Sequence, residues 1–183
     1  MKKLITILSL LMISACRPVE LTTAEKENLP SVAEIQNSLC TGISEKDLVY
    51  SAEELPFIER EYGFKFAGMD GCRFYLDLRV VESKLAILSG GNVSSNLVGA
   101  AIGLKAAGSD TRKPEKKKEG VLGAYLEVYS DDEYFGLVYS SEIGPKSLML
   151  FVLGIDREDE DHVFGLIKRI EKKSIEKKNY NKT

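Results

Sequence analysis

The sequence has few of the residues from which enzymatic and metal sites are usually built. It contains one histidine, His162, and three cysteines among 183 residues. The patterns G-x-S-x-G and H-E-x-x-H and the phosphate-binding glycine loop are all absent. A metal site made of several histidines is therefore excluded, and a catalytic triad would have to use His162. We expect His162 to be a surface residue of the last helix, and we predict no catalytic residue, no metal ligand and no cofactor.

An excess of basic charge is absent as well. The chain has 28 acidic and 25 basic residues, which gives a net charge of −3 at pH 7. If residues 1–15 are removed, Lys2 and Lys3 are lost with them, and the net charge falls to −5. Nucleic-acid-binding domains are normally basic, so the composition argues against a nucleic-acid partner.

The N-terminus carries a short apolar run. Residues 4–13 are apolar at eight of ten positions, and Lys2 and Lys3 precede them. A transmembrane helix needs about 20 residues, so this run is too short and fits the hydrophobic region of a secretory signal peptide. The end of this run and the three residues after it resemble the lipobox of bacterial lipoproteins, with the sequence Ile13-Ser14-Ala15-Cys16.

The lipobox resemblance implies cleavage before Cys16, attachment of diacylglycerol to its thiol and acylation of its new amino group. Ser14 and Ala15 are small enough for the peptidase cleft. Two or three acyl chains would hold the protein stably on a membrane. In diderm bacteria that resemble the enteric ones, a lipobox followed by Arg17 implies sorting to the outer membrane. The resemblance covers only the first 16 residues, and the alternative is an ordinary signal peptide in which Cys16 occurs by chance.

The two remaining cysteines, Cys40 and Cys72, are expected to form a disulfide. An even number of cysteines in an exported chain favours such a bond, and it would close a loop of about 32 residues. The alternative is a redox-active or metal-binding pair, but the sequence contains no C-x-x-C motif. Cys72 lies in the apolar phase of a predicted strand, which favours a buried disulfide between that strand and the first helix.

Length and composition predict one folded domain after the signal peptide. We assign residues 1–15 to a signal peptide that is removed and residues 16–30 to a lipid-anchored tether. Residues 31–178 form a single α+β domain, and residues 179–183 form a polar tail.

Alternation of apolar and polar residues predicts most of the sheet. Residues 72–80 have apolar side chains at every second position, as in a half-buried strand. Further strands are predicted at 64–67, 85–88, 122–128, 134–139 and 147–155, the last as a central strand covered on both faces.

Helices are predicted at 31–39 and 56–62 and after Asp156. The last of these has an apolar stripe at Val163, Phe164, Ile167 and Ile170. The fold class is α+β, with a mostly antiparallel sheet of about six strands. A short N-terminal helix, a Gly/Ala-rich segment and a C-terminal helix pack on the sheet.

Three segments are candidates for contact with a ligand. Lys116, Lys117 and Lys118 could meet anionic lipid head groups, or they could belong to a solvated loop. The Gly/Ala-rich residues 96–108 predict either a helix packed on the sheet or a flap over a groove. The acidic run at 156–161 could bind calcium, although acidic residues are favoured at any helix N-terminus.

The leading functional hypothesis is a non-catalytic envelope lipoprotein. Its folded domain would bind a protein partner in envelope assembly, surface exclusion or host contact, with Tyr75, Tyr125 and Tyr129 on outer faces of the sheet. The alternative is a carrier of a small apolar ligand or lipid, which would need an apolar cavity. An enzyme is the third hypothesis.

Overall fold

An antiparallel sheet of eight strands forms the centre of this computed structural model. The structure describes residues 17–18, 20–55, 58–82, 93–144 and 146–180. The strands are β1 (Arg17–Pro18), β2 (Val49–Leu55), β3 (Ile58–Met69), β4 (Cys72–Glu82), β5 (Asp110–Arg112), β6 (Ala124–Ser130), β7 (Glu133–Ile143) and β8 (Lys146–Leu153). The helices are α1 (Thr23–Asn28), α2 (Val32–Gln36), α3 (Val93–Ala106) and α4 (Glu160–Tyr180).

The order of the strands in the sheet is β1-β2-β3-β4-β8-β7-β6-β5. Each pair of neighbours is antiparallel, and β4 and β8 lie side by side at the centre. Hairpins connect most of these strands, and Asp131 and Asp132 turn β6 into β7 with positive φ angles of 50° and 64°. The predicted α+β class is confirmed, and the sheet has more strands than the six that we expected.

One face of the sheet packs against α4 and forms the larger core. The alternation predicted for β4 is confirmed, since its apolar side chains from Cys72 to Val80 are all buried in this core. The apolar stripe predicted for α4 is also confirmed. The residues of α4 in this core are Val163, Phe164, Leu166, Ile167 and Ile170.

The opposite face of the sheet is covered by α3 over part of its width. Leu97 and Ala100 of α3 are buried against Val128 of β6 and Val138 of β7. This contact decides between the two alternatives for residues 96–108: the segment is a helix packed on the sheet and not a flap. The remaining strands of this face, β2, β3 and β4, carry mainly polar side chains there.

The predicted helix at 56–62 is wrong. Residues 58–62 lie in β3, where Arg60 pairs with Glu82 and Tyr62 with Val80. Pairing with β2 on one side and β4 on the other satisfies more backbone groups than a single helical turn, so the long-range pairing overrides the local helix signal of a proline followed later by a glycine. The strand predicted at 85–88 lies outside the described residues.

The tether predicted for residues 16–30 is also wrong over the part that the structure describes. Thr23–Asn28 form α1, whose N-terminus is closed by a reciprocal capping box between Thr22 and Glu25. Leu29 is buried in the main core, and the Arg60 side chain donates a hydrogen bond of 3.0 Å to the Glu20 carbonyl. The folded domain therefore begins before Ser31, and the capping box is the signal that could have revealed it.

The disulfide between Cys40 and Cys72 is present. It joins the segment after α2 to the first residue of β4, with 5.9 Å between the two Cα atoms. The disulfide therefore attaches the N-terminal helices covalently to a central strand.

Ser31 caps α2 through a second reciprocal capping box with Glu34, as the sequence predicts.

Candidate functional site

The first candidate site is a groove beside α3, which we call the α3 groove. It is an open depression of about 480 Å³ between one side of α3 and the neighbouring strands β4 and β8. The residues that line it are Arg79, Ser95, Asn96, Gly99, Ala100, Gly103, Leu104, Met149 and Phe151. Most of these side chains are apolar or absent.

The wall of the α3 groove that belongs to the helix is nearly flat. Gly99 and Gly103 are one helical turn apart, and a Cβ built on either would meet no heavy atom within 4 Å. Val98 and Ile102 stand next to them on the outer surface of the helix, with exposed fractions of 58% and 66%. The helix thus presents exposed apolar side chains beside a stretch of bare backbone.

The floor of the α3 groove is formed by Met149 and Phe151, which are only partly buried. The prediction that β8 is covered on both faces therefore holds fully for the α4 side and only partly for this side. Arg79 closes one end of the groove, with its guanidinium 5.9 Å from the centre of the Phe151 ring.

Asp77 fixes the position of Arg79. Asp77 is buried although it points away from the main core, and it accepts hydrogen bonds from Arg79 at 2.7 Å and from the Tyr75 hydroxyl at 3.0 Å. The hydrogen bond to Asp77 is the main cause that raises the pKa of Arg79. Burial, followed by the hydrogen bond to Asp77, raises the pKa of Tyr75 to about 12. Both groups therefore keep their protons at neutral pH.

The second candidate site is a wide cleft under the basic segment 112–119, which we call the basic cleft. Its volume is about 950 Å³, and β6, the start of α4 and the segment itself surround it. Seven cationic side chains and four carboxylates line it, in a chain whose net charge is −3. The cations are Arg112, Lys113, Lys116, Lys117, Lys118, Arg157 and Lys168, and the carboxylates are Glu115, Glu119, Glu127 and Glu160.

A network of arginine, glutamate and tyrosine forms the base of this cleft. Arg157 binds both carboxylate oxygens of Glu127 at 3.0 and 3.1 Å and also donates to the Tyr129 hydroxyl at 2.8 Å. Arg112 stacks on the Tyr129 ring at 4.1 Å and forms an ion pair with Asp132. The hydrogen bonds from Arg157 hold the pKa of Glu127 below its usual value. Both arginines are therefore engaged by carboxylates of the protein itself.

The predicted contact residues Lys116, Lys117 and Lys118 divide into two kinds. Lys118 is engaged, because its ammonium group forms ion pairs with Glu160 and Asp161 and lies 5.0 Å from the Phe164 ring. Lys116 and Lys117 are exposed, and within the described part of the chain neither has a carboxylate at ion-pair distance. Sequence reasoning missed Arg157 and Glu127, which no local motif connects to the lysines.

The sequence also led to expectations for His162, Tyr125 and Cys16. His162 is a surface residue, as predicted, with 67% of its side chain exposed. Tyr125 does not lie on an outer face, because it is buried against Phe164 with 4.8 Å between the ring centres. The lipidation site Cys16 lies outside the described residues.

No protein-family model, no curated protein and no solved structure matches this chain. None of the helices among the described residues is long and apolar enough to cross a membrane. Within the same ranges, no three histidine, cysteine, aspartate or glutamate side chains are grouped so that they could hold a metal ion, and this includes the acidic run at 156–161.

Proposed function

We propose that the protein is a non-catalytic, lipid-anchored envelope protein whose folded domain binds a protein partner through the α3 groove. The observation that carries this proposal is the exposed apolar surface made by Val98 and Ile102 beside the bare backbone of Gly99 and Gly103. Contiguous apolar surface beside a groove is costly to leave in water, and it is typical of a surface that a partner covers.

The shape of the surface favours an α-helix as the partner element. Small residues one turn apart allow two helix backbones to approach closely, and the open space at Gly99 and Gly103 can receive the side-chain ridge of a second helix. The partner helix would lie on Met149 and Phe151 next to α3. It would extend the helical layer over the half of the sheet that α3 leaves uncovered.

Charge at the end of the groove suggests the character of the partner helix. Arg79 closes the groove, and Lys65 lies 3.9 Å from the same Asp77 carboxylate. Asp77 lies between these two cations, and the negative charge of Glu61 acts on Arg79 as well, so carboxylates of the protein itself largely balance the charge at this end. The partner helix is therefore amphipathic, with an apolar ridge in the groove and an uncharged polar side chain near Arg79.

The anchor part of the proposal rests on the lipobox resemblance at Cys16. β1 begins at Arg17, where it pairs with Glu54 of β2, so the lipidated residue would be attached directly to one edge of the sheet. An anchor this close would hold the domain against the membrane surface without a flexible tether.

The alternative of an apolar-ligand carrier has weaker support. Carriers enclose their ligands, whereas the apolar space between β8 and α3 is a groove at the surface in the part of the chain that the structure describes. A short acyl chain could still lie in this groove, so the test of the proposal has to distinguish a protein from a lipid.

Photo-crosslinking from Ile102 tests the proposal in the cells that make the protein. A benzophenone amino acid at position 102 should crosslink to a second protein, and the same group at the exposed position His162 should not. The variant Gly99→Gln with Gly103→Gln should abolish the crosslink by filling the groove wall. Lys105→Gln, also on α3 but outside the groove, is the matched control and should retain it.

The outcomes of this experiment separate the alternatives. A crosslink to lipid alone would favour the carrier. A crosslink at twice the mass of the chain would identify a second copy as the partner. Equal crosslinking from positions 102 and 162, or a crosslink that survives both glutamine substitutions, would contradict the proposal.

A further inference from the structure

We propose that the basic cleft is a binding site for a phosphate-bearing ligand, separate from the α3 groove. The cleft lies on the face of the sheet that carries α4, whereas α3 covers the opposite face. Its volume of about 950 Å³ is large enough for a ligand with several charged groups.

The arrangement of charges indicates phosphate more than carboxylate. Arginine is the usual residue for two-point binding of either a carboxylate or a phosphate, but Arg112 and Arg157 are already held by Asp132 and Glu127. The free cations are the lysines Lys113, Lys116, Lys117 and Lys168, for which the described part of the chain offers no carboxylate at ion-pair distance. Lysine ammonium groups act as point charges and commonly bind phosphate.

The lysine-bearing segment is held in place before any ligand binds. The Tyr125 hydroxyl donates a hydrogen bond of 3.4 Å to the Lys116 carbonyl, and Lys118 is tied to Glu160 and Asp161 at the start of α4. Lys168 approaches the end of the segment from α4, since a Cβ built on Gly120 would lie 3.1 Å from its Nζ atom. Cations from two elements thus converge without the entropy cost of ordering a free loop.

The basic cleft lies far from the sheet edge that carries β1. β5, which leads into the basic segment, lies at the sheet edge opposite β1. Seven spacings between neighbouring strands separate these edges by roughly 34 Å. The phosphate could belong to a lipid head group or to a soluble phosphorylated molecule.

Calorimetric titration of tripolyphosphate into the full chain carrying Cys16→Ser tests the site without any acyl chain. We expect saturable binding that weakens with added salt. The variant Lys116→Ala, Lys117→Ala and Lys168→Ala should weaken binding by about tenfold or more. The matched control, Lys26→Ala, Lys46→Ala and Lys172→Ala, removes the same charge at exposed positions outside the cleft and should bind as the parent chain does.

Sedimentation with vesicles distinguishes the sources. Binding to phosphatidylglycerol vesicles, with the same dependence on the cleft lysines, would assign the phosphate to lipid head groups. Binding of tripolyphosphate without binding of vesicles would assign it to a soluble ligand. The proposal is overturned if tripolyphosphate does not bind, if the control loses as much affinity as the cleft variant, or if hexaglutamate binds as tightly. None of these lysines lines the α3 groove, so failure here leaves the proposed partner site untouched.

Discussion

The Tyr139 hydroxyl donates a buried hydrogen bond to the Glu171 carboxylate and so connects β7 to α4. The same two side chains hold the segment that leads from the basic cleft into β6. Tyr139 accepts a hydrogen bond of 2.7 Å from the Gly123 N–H, and Glu171 accepts one of 3.2 Å from the Leu122 N–H. Burial, followed by the hydrogen bond to Glu171, raises the pKa of Tyr139, so it remains a donor at neutral pH.

Removal of this hydroxyl should destabilise the protein. Tyr139→Phe removes one partner of the buried Glu171 carboxylate and leaves the partly buried Gly123 N–H without its partner, so we expect a loss of about 1–3 kcal/mol in the free energy of unfolding. Urea denaturation measures it. Tyr134→Phe is the control, because its hydroxyl makes a longer hydrogen bond of 3.3 Å to Glu160 at a partly buried position. Equal losses in both variants would contradict the special role of the Tyr139–Glu171 pair.

Gly123 should not tolerate a side chain. A Cβ at this position would lie 2.0 Å from the Ser140 carbonyl oxygen and 2.6 Å from the Tyr139 hydroxyl. Gly123→Ala therefore forces β6 away from β7, and we expect a lower melting temperature and a weaker Tyr139–Glu171 contact. A melting temperature equal to that of the parent chain would show that this close approach is absent.

Gly99 and Gly103 should behave in the opposite way. Both lie on the surface of α3 with open space around them, so alanine adds helix propensity without a clash. Each of Gly99→Ala and Gly103→Ala should raise the free energy of unfolding by about 0.5–1 kcal/mol. Ala101→Gly on the same helix should lower it by a similar amount. If the alanine variants are more stable but no longer bind the partner, the glycines are kept for binding. If neither alanine variant raises the free energy of unfolding, the result would contradict the exposed position of these glycines on α3.

Reduction of the Cys40–Cys72 bond should destabilise the domain substantially. The bond closes a loop with a sequence separation of 32 residues. In the chain-entropy description, such a loop contributes about 3–4 kcal/mol by restricting the unfolded chain. Guanidinium unfolding with and without dithiothreitol measures the difference. A double Cys→Ser variant that unfolds at the same midpoint with and without reductant is the control, and an unchanged midpoint in the parent chain would count against the disulfide.

The domain should lose stability in acid. Burial alone would raise the pKa of Glu25, but hydrogen bonds from Arg60 and Thr22 outweigh it and hold the value below 4.5. Hydrogen bonds from Arg157 lower the pKa of Glu127 in the same way. Both carboxyl groups have a lower pKa in the folded chain than in the unfolded chain. The stabilisation that the ionised carboxylates provide is therefore complete above about pH 4.5, and it is lost as the pH falls through their pKa values in the folded chain.

Urea unfolding at pH 7, about 4.5 and about 3 measures this dependence. The free energy of unfolding should fall below pH 4.5, and the fall should be smaller in Glu127→Gln, which cannot titrate. A free energy that stays constant or rises between pH 4.5 and 3 would contradict the assigned roles of Arg60 and Arg157.

The parts of the fold that the sequence predicts well are those with a local periodic signal. The alternation in β4 and the apolar stripe of α4 follow from residues two, three or four positions apart, which lie on one face of a strand or helix. The Cys40–Cys72 bond was predictable for a related reason, because Cys72 has the same phase as its buried neighbours.

The errors arose where distant residues decide the structure. At residues 58–62, pairing with β2 and β4 overrides a local helix signal. Gly99 and Met149 line the same α3 groove, and Lys116 and Arg157 line the same basic cleft. No spacing in the sequence connects these residues, so neither site could be assembled before the topology was known.

Native mass spectrometry of the protein, extracted gently from the membranes of its source cell, tests the central claim most directly. We predict a chain that begins at an acylated Cys16 and carries one companion protein in fixed ratio. The companion should be absent when Gly99 and Gly103 are replaced by glutamine, while the acylation remains. An N-terminus that still includes residues 1–15, an unmodified Cys16, or a companion that persists in the glutamine variant would contradict the account.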